Sequence, residues 1–183
     1  MHQTERVRLI FKERFMNTYY AKTILFAYPN IEAVIEQIDD IVMRKALSSR
    51  CDYSACQAQC EEICRLTETK VRMLELIEHV NTVLATLTQY ETDLLDYKYF
   101  HIQPKEYFDE IGFIAEGRTY FRHQTAIINK VAKRLEHFGV TDEWYTKNFS
   151  CVRFFSELLK RVILRDECFK WAKREKKKRE KNK

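Results

Sequence analysis

Glycine and proline are scarce in this chain: three Gly and two Pro among 183 residues. Sandwiches, barrels and hairpin-rich folds need turn residues every eight to twelve positions, so they are excluded. Nucleotide-binding loops need clustered glycines so that backbone amides can approach phosphate. Gly112, Gly117 and Gly139 form no such cluster. Long apolar runs are also missing, so no membrane span is expected. The first residues, Met1-His2-Gln3-Thr4-Glu5-Arg6, lead into charges every few positions, which excludes a secretory signal. A cytoplasmic, reducing setting is the expectation, in which the six cysteines stay unpaired. No H-E-x-x-H, G-x-S-x-G or paired-carboxylate motif occurs, and the five histidines are scattered. No catalysis and no cofactor are therefore expected.

What is present reads as helix. Hydrophobic residues make up 45% of the chain, enough for a core. The expected class is all-α: an N-terminal helical bundle or coiled-coil segment over 1–87, a helix-turn-helix unit over 88–139, and C-terminal helices with a basic tail over 140–183. A first helix spans roughly Arg6 to Tyr28 and is stopped by Pro29. Asn30 caps the next, where Ile31, Val34, Ile35, Ile38, Ile41 and Val42 recur at helical spacing. Ser54 with Gln57 reads as a capping box for a third helix. Two heptad lines follow along it: Cys56, Ile63, Lys70, Ile77, Leu84, and Gln59, Leu66, Met73, Val80, Leu87. Such a seam can pair two chains through the Ser54–Leu87 helix or pack on the two earlier helices; the second use ranks slightly ahead.

Thr88 with Glu91 forms another capping box, opening a helix to about Phe100 with Leu94, Leu95, Tyr97 and Phe100 on its apolar side. Pro104 and Gly112 bracket a short helix, and Gly117 and Gly139 a longer one. Thr141 caps the next helix. Ser150 opens the last, whose apolar stripe is Val152, Phe155, Leu158, Leu159, Val162 and Ile163. Its end, Lys170 to Lys183, is expected to dissolve into solvent.

Cys51, Cys56, Cys60 and Cys64 include three at i, i+4 and i+8. A straight helix holds Cys56 and Cys64 about 12 Å apart, too far for one tetrahedral metal site. Their simplest role is that of small apolar residues beside the seam, and no metal site is expected.

Charge is unevenly distributed. The net charge is +5, but Lys170–Lys183 holds nine Lys or Arg against two Glu. Thr88–Gly117 carries seven acids and two bases, whereas Arg118–Leu135 carries five bases and no acid. Placed on a helical wheel, Phe121, Gln124, Ile128, Val131, Ala132 and Leu135 share one side. Thr119, Arg122, His123, Ala126, Asn129, Lys130 and Lys133 share the other. One face can dock on a core while the opposite face offers guanidinium, imidazole, amide and ammonium donors, as a helix entering a DNA major groove requires. Arg118, Thr119, Arg122 and His123 near the helix start are the expected base readers. Lys130, Lys133 and Arg134 are the expected phosphate contacts.

The order of these elements resembles the helix-turn-helix of region four of sigma-70-type factors. It is closer still to the ArpU-type regulators of phages and Gram-positive bacteria. Leu87, Glu91, Leu94, Leu95, Lys98, Tyr99 and Phe100 match the first-helix pattern of that family, with Lys98 in place of Arg. Arg118 and Thr119, followed by Tyr120, Phe121 and Arg122, match the start of its third helix. Glu116 stands where that family has a Ser cap. The resemblance covers Thr88 to Phe138. It implies sequence-specific binding to double-stranded DNA and regulation of transcription, and leaves contact with RNA polymerase open. The other reading of the chain is a helical protein-interaction module whose basic tail attracts nucleic acid.

Overall fold

The computed structural model describes residues 18–48, 53–113 and 117–181, with side chains described through Phe169 and at Trp171 and Arg174. Among them every regular element is helical, so the fold is all-α. The elements are α1 (18–27), a 3-10 turn at Tyr28–Asn30, α2 (Ile31–Leu47), α3 (Tyr53–Leu84), α4 (Gln89–Leu95), a π-helical turn at Asp96–Phe100, α5 (Lys105–Glu110), α6 (Gly117–His137), α7 (Asp142–Phe149) and α8 (Arg153–Lys181). The expected first helix up to residue 17 lies outside the described residues, as do Ser49, Cys51 and Glu116.

Pro29 does not stop the chain. It occupies the start of the 3-10 turn, where its missing N–H costs nothing, and α1 passes through that turn into α2. Asn30 therefore makes no side-chain cap, because its backbone stays near the helical region (φ −114°, ψ −2°) instead of extending as a cap requires. Ser54 likewise lies inside α3, which already includes Tyr53, and Gln57 bonds forward to Glu61 instead.

α2 and α3 form an antiparallel hairpin. Cross-links fix its register, among them Lys45 Nζ to Glu62 at 2.7 Å, Lys70 Nζ to Asp39 at 2.7 Å, Gln59 Nε2 to Lys45 O, and Tyr28 Oη to Asn81. Buried in α2 are Ile31, Ile35 and Ile38; buried in α3 are Thr69, Met73, Leu76, Val80 and Val83. Of the two heptad lines one lies on the core and the other beside it. Met73 and Val80 are core, whereas the line through Cys56, Lys70 and Leu84 runs along an edge. α3 meets α6 and α7 as well as α2, so its buried stripe is centred on Leu76 and Val83. The apolar stripe thus packs within the chain, the use ranked first from sequence.

Two helix ends show how the few glycines position the second half. At the end of α5, Gly112 N–H donates to Asp109 O (3.1 Å) and Phe113 N–H to Phe108 O (2.8 Å). At the end of α6, Gly139 N–H donates to Glu136 O (2.9 Å) and Val140 N–H to Leu135 O (3.0 Å). Both are Schellman ends. Their glycines lie at φ +64° and +81°, where a side chain would strain. Thr141 then caps α7, its Oγ1 accepting from Trp144 N–H at 3.2 Å.

Ser150 closes α7 and does not open α8: its N–H still bonds Thr146 O at 3.2 Å, and α8 begins at Arg153. The basic tail does not dissolve either; the backbone of α8 stays helical to Lys181. Lys, Arg and Glu are good helix formers, and neither Gly nor Pro interrupts the run.

One core joins the three stretches of the chain. Ile24 and Leu25 of α1, Met73 and Leu76 of α3, Leu94 and Leu95 of α4, Val131 and Leu135 of α6, Tyr145 and Phe149 of α7, and Phe155 of α8 belong to the same cluster. Aromatic pairs tie it across elements: Phe26 with Tyr99 at 4.5 Å, Tyr20 with Tyr145 at 4.5 Å, and Phe149 stacked on Phe155 at 4.4 Å.

Candidate nucleic-acid interface

The interface begins with how α4 and α5 are joined. The Thr88–Glu91 capping box is present: Thr88 N–H donates to Glu91 Oε2 at 2.9 Å and Glu91 N–H to Thr88 Oγ1 at 3.4 Å. α4 ends in a π-turn, with His101 N–H donating to Asp96 O at 2.8 Å and His101 left-handed at φ 55°. The buried carboxylate of Asp96 accepts from Ile102 N–H (2.8 Å) and Gln103 N–H (2.9 Å). Asp93, also buried, accepts from Gln89 Nε2 at 2.8 Å and from Tyr107 Oη of α5 at 3.3 Å. These two acids fix the corner between α4 and α5. Sequence reasoning missed them, counting both only within an acidic stretch. The available signal was their position beside Leu94, Leu95 and Tyr97 on a face that had to be buried.

α5 has only six residues and is held by rings. Phe108 contacts Tyr97 at 5.1 Å and Phe113 at 5.6 Å; Phe113 also meets Tyr90 at 5.8 Å. Tyr97 reaches Tyr120 of α6 at 6.5 Å. The α4–α5–α6 unit is thus closed by an aromatic cluster.

α6 buries Tyr120, Ile127, Ile128, Val131 and Leu135. This corrects the expected docking face at its first turn. Tyr120 points inward, and Phe121 is half exposed on a flank, where its ring lies 6.3 Å from that of Phe169 in α8. The core side of α6 is centred nearer Ile127 and Val131 than the wheel assumed, because α3 and α4 both pack there.

The predicted site residues divide into two groups. Arg118, Thr119, Arg122 and Lys133 are exposed, along one face that also carries Thr125, Ala126 and Asn129. His123, Lys130 and Arg134 lie along the flank beside α4. Lys130 Nζ contacts both carboxylate oxygens of Glu91 at 2.7 and 2.6 Å. Arg134 donates to Thr86 Oγ1, and His123 Nδ1 is 3.1 Å from Tyr90 Oη. The Lys130 ammonium, with the Thr88 amide, holds the Glu91 carboxyl below its usual range. One charged pair therefore joins the capping box of α4 to the middle of α6.

The Phe121–Phe169 contact places the end of the described part of α8 beside the first turns of α6. From there the helical backbone enters the basic run Lys170–Lys181. Lys98, on α4's π-turn, faces the same region: burial, then Arg165 and Lys22, lower its ammonium pKa, with Asp166 opposing them.

The cysteines depart from expectation. Cys56, Cys60 and Cys64 are free and exposed, not buried beside the core, because they precede Thr69, the first buried residue of α3, and face outward. Comparison of the chain with known protein families, curated proteins and solved structures finds no match.

Proposed function

We propose that this protein is a sequence-specific DNA-binding regulator of transcription that inserts the exposed face of α6 into the major groove. The observation that carries this reading is the division of α6 between a fully docked apolar side and an opposite, acid-free face from Gly117 to Leu135 bearing Arg118, Thr119, Arg122 and Lys133. Arg118 and Arg122, one helical turn apart near the N-terminal end, suit bidentate contacts to guanine edges. Thr119 and Asn129 add shorter donors. The small Ala126 lets the backbone approach, and Lys133 suits a phosphate. His123, Lys130 and Arg134 act as positioning residues that hold α6 against α4. The resemblance of Thr88–Phe138 to region four of sigma-70-type factors and to ArpU-type regulators, read from the sequence, points the same way.

The test is selection from a random duplex pool, followed by titration of the enriched sequence. Arg118→Ala and Arg122→Ala are each expected to weaken that sequence roughly tenfold or more while leaving thermal unfolding unchanged. Unchanged affinity in both variants would sink the assignment of α6. A second reading, a helical protein-interaction module with a nucleic-acid-attracting tail, is favoured by the exposed rings of Phe121, Phe169 and Trp171. It predicts a pool in which no sequence is enriched.

A further inference from the structure

α3 carries a second seam on the side opposite the core. Thr69, Met73, Leu76, Val80 and Val83 are buried. Half a turn round the helix, Tyr53, Cys60, Thr67 and Leu74 follow at seven-residue spacing, with Cys64 and Val71 four residues after Cys60 and Thr67. None of these six is charged. Tyr53, Val71 and Leu74 are 84%, 46% and 45% exposed. A helix docked by one face normally turns charge to solvent on the other. Here the outward stripe stays uncharged from Tyr53 to Leu74, roughly 30 Å of helix, and ends at the exposed Glu78. Its two edges differ in character. Glu61, Glu68 and Glu75 recur at seven-residue spacing on one edge, and Lys70 stands on the other.

We infer that this outward face of α3 pairs with the same face of a second copy, the two helices parallel and in register. Charge decides both occupant and direction. In a parallel pair the residue preceding one seam position faces, across the interface, the residue five further on in the partner. That sets Lys70 of each copy against a glutamate, Glu75, of the other. An antiparallel pair would instead align one row of glutamates against the other. Lys70 already contacts Asp39 at 2.7 Å, and Glu75 already pairs with Arg72 of its own helix at 2.8 Å; the ammonium has three donors and each carboxylate oxygen a further lone pair, so both can also meet across the interface. The helix is the one whose heptads suggested pairing, but the face is the one turned away from the core, about a quarter turn from those heptad lines. The inference does not depend on DNA binding.

A parallel two-fold pair brings each seam cysteine opposite its own copy, which supplies the test. Sedimentation of the full chain is expected to show a concentration-dependent dimer. The double variant Val71→Glu, Leu74→Glu is expected to sediment as a monomer with unaltered helical content, since both side chains are exposed. A chain keeping only Cys60, with its other five cysteines changed to Ser, is then treated with copper–phenanthroline. Two thiols lose two protons and two electrons to Cu(II), and a disulfide-linked dimer is expected. A parent chain that is monomeric at about 100 μM, a double variant that remains dimeric, or a dimer in which Cys60 fails to cross-link would each overturn the proposal.

Discussion

Glu91 performs two tasks with one carboxylate, closing the capping box at Thr88 and pairing with Lys130. Glutamine can keep the first and not the second. Glu91→Gln is therefore expected to cost about 0.5 kcal/mol at pH 7, the scale of a partly exposed ion pair. The sign of the pH dependence follows from the lowered carboxyl pKa in the folded state. Its contribution is full above the unfolded-state value of about 4.3 and is lost as pH falls through the folded value. Urea unfolding at pH 7 and near pH 3 should show the gap between parent and variant closing at the lower pH; a constant gap would contradict the pairing. At this scale the sequence was readable where the chemistry is local. Thr88, Glu91 and Thr141 cap their helices as their spacing indicates. Asp96 was not readable, because its partners, the amides of Ile102 and Gln103, come within reach only after the π-turn bends the chain.

Among the elements, α6 depends on how it ends. Gly139 lies at φ +81°, and a Cβ there would meet nothing within 4 Å, so substitution strains the backbone without a clash. Gly139→Ala is expected to cost about 1–2 kcal/mol, lowering the melting temperature by roughly 2–8 °C. Calorimetry checks it. A variant as stable as the parent would mean that the turn into α7 tolerates another conformation. Here sequence fixed the period of each helix more firmly than its phase. The heptads of α3 correctly gave one long helix. Which of its faces met the core depended on α6 and α7, helices distant in sequence. The same holds at the first turn of α6, where Phe121, expected on the docking side, stays half exposed beside Phe169 of α8 and Tyr120, which the wheel left unassigned, is buried.

For the whole molecule, the charge pattern acquires a geometry. The basic run beginning at Lys170 starts beside the Arg118–Arg122 end of α6, linked through Phe169 and Phe121. Under the proposed function, removing residues 170–183 is expected to weaken binding to every duplex alike and to flatten its salt dependence, while the preferred sequence stays preferred. Filter binding across a salt series distinguishes these effects. Loss of preference alone would assign the tail a reading role. The all-α class was legible in the scarcity of glycine and proline. The shared core was not, since the contacts joining α1, α4 and α8 separate residues as distant as Lys22 and Asp166.

The burial pattern of the α2–α3 hairpin has one more consequence. No residue of 39–48 or 53–68 is buried; the core ends at Ile38 on one helix and Thr69 on the other. Apart from Val42 and Leu66, which pack partly buried against that core, the arm adds little to the packing that holds the rest together. Matched removal of whole turns beyond Val42 and Leu66 would shorten the arm and leave the core intact, while taking away the first part of the outward seam of α3.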